Sequence, residues 1–312
     1  RERADVVRQR LESEVGYGAA DLNGASRPWF SIILPVYDPE PGWLRECIES
    51  VREQYFHDWE LCVADDASEN PDVRVLLDEL ATLEPRIRVT FRESNGHISA
   101  ASNTALAMAS GEFVALLDHD DRLAPEALLL MAEAMMAHPD GQFFYSDEDK
   151  ISESGERFDP HFKPDWNPDL ALSQNYVSHL GVYRRERVMA VGGFREGFEG
   201  SQDHDLLLRF VRDLPAGQIH HIPRVLYHWR AVKGSAALAP TGKDYSAHAG
   251  LAAVEEHVKS IDPTATVEPG LAPHSYRVHW PIPDPAPLVS LIIPTRDGLD
   301  ILRPCVNAIL EY

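Results

Sequence analysis

Carboxylates crowd the ends of two apolar runs and the start of an amphipathic one. After the apolar run 112–117 comes Asp118-His119-Asp120-Asp121, three carboxylates within four residues. Charges this close repel one another unless water solvates them or a cation joins them. Hard oxygen donors in an open site suit Mg2+ or Mn2+, which keep positions for substrate phosphates. The same residues also fit an acidic turn capping a helix from Ala124, with Asp120 or Asp121 as N-cap. Asp65-Asp66-Ala67-Ser68 follows a second apolar run. Its carboxylates can accept from a nucleobase N–H or ribose hydroxyls, or close an Asx turn. Ser201-Gln202-Asp203-His204-Asp205 precedes a helical pattern. Negative charge is favourable at a helix start, and one positioned carboxylate also suffices as a general base. Tyr227-His228-Trp229-Arg230 closes a late apolar run. Neutral His228 is a metal donor or a structural histidine, and Arg230 and Lys233 can neutralise a diphosphate. Trp166, Tyr176 and Trp229 offer flat faces to a sugar or pack in a core. The histidines His97, His161, His179, His204, His220 and His221 show no metal-ligand spacing.

Such residues need a scaffold that brings them together, and the hydrophobic pattern predicts one. Apolar strands are expected at 30–36, 60–64, 87–91 and 112–117, alternating with helices at 42–54, 71–83, 97–110 and about 124–137. This alternation means βαβ units and a doubly wound, mainly parallel sheet of the α/β class. Ligands in such sheets bind beyond the carboxyl ends of the strands, which points to the loops after Val36, Ala64 and Leu117. The second half is less regular. Strands are expected at 175–185 and 224–230 and helices at 203–214 and 246–261. Residues 1–15 have the pattern of a charged helix with apolar Val6, Val7 and Leu11, suited to packing on the main domain.

Composition removes several function classes. Among 312 residues, 50 acidic side chains face 29 basic ones, for a net charge of −21. A general nucleic-acid binder needs clustered Lys and Arg, so that role is excluded. A nucleotide ligand remains open, because a metal can offset local repulsion. No apolar run approaches the ~18–20 residues of a membrane span, and the first residues lack a signal peptide's apolar core. The three cysteines, Cys47, Cys62 and Cys305, have no zinc spacing, and their odd number points to a reducing cytoplasm.

The order of the motifs is more specific than any one of them. SIILPVYD, DDAS, NGHISAASNTALAMASGEFVALLDHDD, QDHDLLLR and YHWR, spread over 29–260, resemble the family 2 glycosyltransferases. FYSDEDKI and FKPDWNPDLALSQNYVSHL are similar to segments of bacterial cell-surface polysaccharide enzymes of the rhamnosyltransferase type. The resemblance implies a GT-A fold and inverting, metal-dependent transfer from a nucleotide-diphosphate sugar, such as a UDP- or dTDP-sugar. On that pattern Pro35, Val36, Tyr37 and Asp38 line the nucleoside pocket, Asp66 holds the base, and Asn95 and Gly96 approach the nucleotide. Asp118 and Asp120 match the DxD motif, with Asp120 the direct ligand of Mn2+ or Mg2+ and Asp118 nearer the ribose. His228 matches a later metal ligand, Asp203 the catalytic base, and Arg230, Lys233 and Ser235 the residues that close over the diphosphate. Trp166, Asn175, Tyr176 and Gln202 are candidates for acceptor or sugar contact. Two positions depart from the pattern: Gln202 replaces the acidic neighbour of the base, and Ser102 stands where Arg often precedes the helix Asn.

The implied organisation is a helical extension over 1–27, a glycosyltransferase domain over 28–280, and a linker with the start of a second similar domain over 281–312. The last inference rests on an internal echo. Ser290, Ile292, Ile293, Pro294 and Asp297 match Ser31, Ile32, Ile33, Pro35 and Asp38 within a one-residue slip. The expected partners are a nucleotide-sugar donor, a lipid-linked glycan acceptor, a second glycosyltransferase domain and peripheral contact with the inner face of the cell membrane. Two competitors remain. A sugar-1-phosphate nucleotidylyltransferase needs a basic, Gly-rich loop after the first strand, whereas VYDPEPGW has no basic residue before Arg45. A non-catalytic carbohydrate-binding domain would have no need of DHD, Asp203 and His228 together.

Overall fold

Residues 2–14, 28–232 and 244–311 are described in the computed structural model. The chain divides into one unit over Arg1–His279 and another over Trp280–Tyr312. In the first, α1 (Glu2–Glu14) precedes β1 (Phe30–Val36), α2 (Pro41–Arg52), β2 (Trp59–Asp65), α3 (Pro71–Leu83), β3 (Ile87–Phe91), α4 (His97–Met108) and β4 (Phe113–Leu116). There follow β5 (Arg122–Leu123), α5 (Ala127–Ala137), β6 (Phe143–Ile151), β7 (Arg157–His161), α6 (Pro168–Ser173), β8 (Gly181–Arg184) and α7 (Arg185–Ala190). The unit ends with α8 (Gln202–Val211), β9 (Ile219–Arg230), α9 (Asp244–Ile261), β10 (Thr266–Pro269) and β11 (Tyr276–His279).

The sheet runs β3-β2-β1-β4-β8-β6-β9-β5, with β7 on β6. Its first four strands are parallel, as the βαβ pattern requires. The irregular half joins through β8, which is antiparallel to both β4 and β6, while β9 runs parallel to β6. All seven residues of β1 and all seven of β2 are buried, because helices cover both faces. Alternate side chains of β1 feed different layers. Phe30, Ile32, Leu34 and Val36 join the helices α2, α3 and α5, and Ile33 joins α4 and α8. Local chemistry sets the helix starts. Pro occupies the first turn of α2, α3 and α6, and Glu40, Asn70 and Asn167 accept N-terminal amide bonds. The small buried residues Ser99, Ala100, Ala101 and Ala105 let α4 lie close on the sheet. Ala4 and Val7 of α1 are buried, and Arg3 pairs with Glu133 of α5 at 2.5 Å.

Two expectations shift. The helix placed near 124–137 begins at Ala127, and Asp120 and Asp121 do not cap it; the short strand β5 intervenes. The strand placed over 175–185 forms only at Gly181–Arg184. Residues 175–180 instead make a loop whose backbone is held from below by a buried lysine, Lys163.

In the second unit, α10 (Leu299–Glu311) is the one helix among the described residues. The echo segment at 289–293 is in no strand there, and Leu291 and Ile292 are exposed.

Candidate active site

A cavity of about 550 Å³ opens at the carboxyl ends of β1 and β4, as the sheet rule predicts. Ile33 and Pro35 of β1, Ile98 and Ser102 of α4, and Leu117 and Asp118 after β4 line it. So do the loop residues Asn175, Ser178 and His179 and the α8 start at Ser201, Gln202 and Asp203. Lys150 and Trp229, cross-strand partners on β6 and β9, and Pro273, His274 and Tyr276 complete the lining.

The acidic turn is built from beneath. Asp121 is fully buried and accepts from the Tyr227 hydroxyl at 2.5 Å and from the Arg230 backbone N–H at 2.6 Å. The same Tyr227 oxygen accepts the Asp118 N–H at 3.2 Å. Burial pushes the Asp121 carboxyl well up, and Asp120 and Asp118 push it further. Burial also raises Asp118, with Asp120 and Asp203 adding to it and His179 and His119 opposing. Burial, Asp121 and Asp118 raise the Tyr227 phenol, so it stays protonated and donates. Donor atoms of Asp118, Asp121 and His179 lie within 4.8 Å of one another, two carboxylate oxygens and one imidazole nitrogen that could hold a divalent cation.

His179 was not legible as a ligand, because nothing near it in sequence is a metal donor at ligand spacing. Tertiary contacts place it. Its ring stacks on Tyr227 with centroids 4.4 Å apart, and its backbone N–H donates to Glu148 at 2.9 Å. The Lys163 ammonium, with no exposed surface, donates to the carbonyls of Ser146, Val177 and His179 and to Glu148. Burial alone would raise the Glu148 carboxyl, but His161, Lys163 and His179 outweigh it and draw it down to about 2.

Asp203 lies in the first turn of α8 and lines the cavity. Asn175 Nδ2 donates to its Oδ2 at 2.7 Å. Its neighbours have other tasks. Asp205 is locked between Arg195 and Arg209, and buried His204 bonds the Ala171 carbonyl at 2.8 Å and stacks on Tyr276. Burial lowers His204, which keeps it neutral. Gln202 lines the cavity and accepts from Gly200 N–H.

Several expected contacts stand elsewhere. His228 is turned away from the cavity, because it shares a register position with Asp149, one residue off the Lys150–Trp229 pair that faces it. Its Nδ1 meets Asp149 at 2.5 Å, and Arg157 holds that carboxylate from the other side. Arg230 has no exposed side-chain surface. It donates to the Asp120 carbonyl at 2.7 Å and to Glu46 at 2.7 Å, so it clamps the acidic turn from behind. Asp120 is half-buried and is not in the Asp118–Asp121–His179 group. Asp66 is buried and already engaged by Arg92 Nε at 2.6 Å and Gly96 N–H at 3.0 Å; it fastens the Asn95–Gly96 loop. Asp65 closes a turn with Ser68. Val36 belongs to the core, whereas Tyr37 and Asp38 are exposed, with Asp38 accepting from Asn70 N–H. Asn95 is exposed and accepts from His97 N–H. Tyr176 is a core residue bonded to Asn167 N–H, and Trp166 packs against it. Lys233 and Ser235 lie outside the described residues.

A profile of Glycosyl transferase family 2 matches residues 31–191. The O-antigen biosynthesis protein RfbC of Myxococcus xanthus is 42% identical over 284 residues, 91% of this chain and 22% of that protein. The chain spans less than a third of the length of the curated relatives it matches first. Among solved structures, Staphylococcus aureus TarS 1-349 in complex with UDP-GlcNAc aligns with a TM-score of 0.59 at 19% identity, over 75% of this chain and 67% of that one. The mannosyltransferase PcManGT of Pyrobaculum calidifontis, in complex with GDP-Man and Mn2+, aligns with a TM-score of 0.52 at 20% identity, over 83% and 70% of the two chains. These structural likenesses establish the GT-A fold.

Proposed function

The chain belongs to Glycosyl transferase family 2, and we propose that it moves a sugar from a nucleotide-diphosphate donor to a hydroxyl of a bacterial surface glycan. One observation carries this reading: Asp118 and Asp203 line a single cavity. A donor on the Asp118 side and an acceptor on the Asp203 side would meet between them. UDP-GlcNAc in TarS and GDP-Man in PcManGT support a nucleotide-sugar donor, and the likeness to RfbC supports a polysaccharide product.

Asp203 accepts the proton of the acceptor hydroxyl as its oxygen bonds to the anomeric carbon. The bond from that carbon to the diphosphate breaks, and the nucleoside diphosphate leaves with the electron pair. Attack from the face opposite the leaving group inverts the anomeric centre. Asn175 holds the Asp203 carboxylate in one orientation by its 2.7 Å bond. Asp118, Asp121 and His179 would hold a divalent cation such as Mn2+ or Mg2+, which would supply positive charge to the diphosphate. Pro35 and Ser102 line the cavity, and Tyr37, Asp38, Asn95 and Gly96 belong to the loops after β1 and before α4.

We place the acceptor on a lipid carrier at the cytoplasmic face of the membrane. Among the described residues no helix is long and apolar enough to cross a bilayer. The echo of 30–55 in 289–312 supports a second similar domain in the same polypeptide. The test is release of nucleoside diphosphate from a panel of UDP-, dTDP- and GDP-sugars with Mn2+, with water as surrogate acceptor. Asp203→Asn should lower turnover by about 10²–10⁴-fold and leave donor binding unchanged. Full turnover in that variant would remove Asp203 as the base.

A further inference from the structure

We propose that Lys150 is the cation that meets the donor diphosphate, an assignment that rests on the nucleotide-sugar reading above. A diphosphate entering this cavity finds the carboxylates Asp118 and Asp203 on its walls. Among the described residues Lys150 is the one Lys or Arg that lines it. The other nearby cations are committed. Arg230 and Lys163 are fully buried on fixed backbone and carboxylate partners, Arg92 is paired with Asp66, and Arg157 is paired with Asp149.

Register explains why Lys150 faces inward. On β6 and β9 it pairs with Trp229, which lines the same cavity, whereas the flanking pair Asp149–His228 points to the other face. The ammonium is paired with Asp159 at 2.6 Å. Asp159 lies on β7, whose five residues are all exposed, and its side chain is 64% exposed. An ion pair this open to water contributes little, so exchanging Asp159 for a phosphate oxygen costs little. The flexible four-carbon stem lets a lysine make that exchange where a planar, anchored guanidinium such as Arg230 would not. The exchange also places positive charge beside the bond from sugar to phosphate, where negative charge accumulates as the nucleoside diphosphate departs.

The experiment is calorimetric titration, with Mn2+ present, of UDP, dTDP and GDP and of the matching nucleosides. It compares the wild-type chain with Lys150→Gln, Lys150→Arg and Asp159→Asn. Lys150→Gln should weaken the diphosphate that binds the wild type by about tenfold to a hundredfold and leave the nucleoside unchanged. Lys150→Arg should recover part of the loss, and Asp159→Asn, which frees the ammonium, should bind at least as tightly as wild type. Equal diphosphate affinity in Lys150→Gln overturns the assignment alone. Failure of the wild type to bind any of the diphosphates overturns the nucleotide-sugar reading and this assignment with it. Weakening of diphosphate and nucleoside to the same degree shows a general structural loss and also overturns it.

Discussion

Replacing Lys163 by methionine keeps the stem and removes the ammonium. The perturbation is large because that ammonium has no exposed surface and serves four acceptors. Without it Glu148 stays charged in the interior with only His161 and the His179 N–H beside it, and three carbonyls lose a donor. Breaking a buried pair from one side costs about 3–5 kcal/mol. For a chain of this size that is a fall in Tm of about 10 °C. The double variant Lys163→Met/Glu148→Gln removes the stranded charge and should melt above the single variant. Acid should narrow the gap. Glu148 titrates at about 2 in the fold against an ordinary 4.5, so its stabilising contribution is present above pH 4.5 and is lost as pH falls towards 2. The assay is thermal melting by circular dichroism at pH 7 and at pH 4. A Lys163→Met protein that loses no more than a surface substitution would, about 0.5 kcal/mol, refutes the network.

Three other substitutions probe neighbouring parts. Tyr227→Phe removes one of two donors to buried Asp121 and should cost about 1–3 kcal/mol by denaturant titration. Gly250→Ala drives a Cβ into the Tyr276 phenol, which stacks on His204 next to Asp203. Overpacking there should lower stability by about 1–3 kcal/mol, read by melting. Asp66→Asn weakens the hold of Arg92 and the Gly96 N–H on the Asn95 loop. Faster amide hydrogen exchange at 94–98, with little change in 175–180, is the expected outcome.

Much of the parallel half of the sheet was legible locally. The bounds of 30–36, 71–83 and 87–91 match β1, α3 and β3, because a continuous apolar run or a Pro-led helix needs no distant partner to be recognised. Asp118, Asp203 and Pro35 were findable because they stand at strand and helix ends, and all three line the cavity. The loop at 175–180 was not. Tyr176 and Val177 are buried and β-prone, yet the Val177 and His179 carbonyls are tied to Lys163, more than ten residues away. His228 and Arg230 were assigned to ligands because their side chains suit the chemistry. Which face of β9 they occupy depends on its register with β6, and a parallel pairing of distant strands has no local sequence signal. His179 was missed for the same kind of reason, since only the fold brings it to Asp118.

The most direct test is calorimetric titration of UDP and dTDP, each with and without Mn2+, into the wild-type chain and Asp118→Asn. The account predicts that one diphosphate binds the wild type only with Mn2+ and that Asp118→Asn abolishes the metal-dependent part. Binding that ignores both the metal and the substitution, or no binding by a folded wild-type chain, would contradict a donor site built on Asp118.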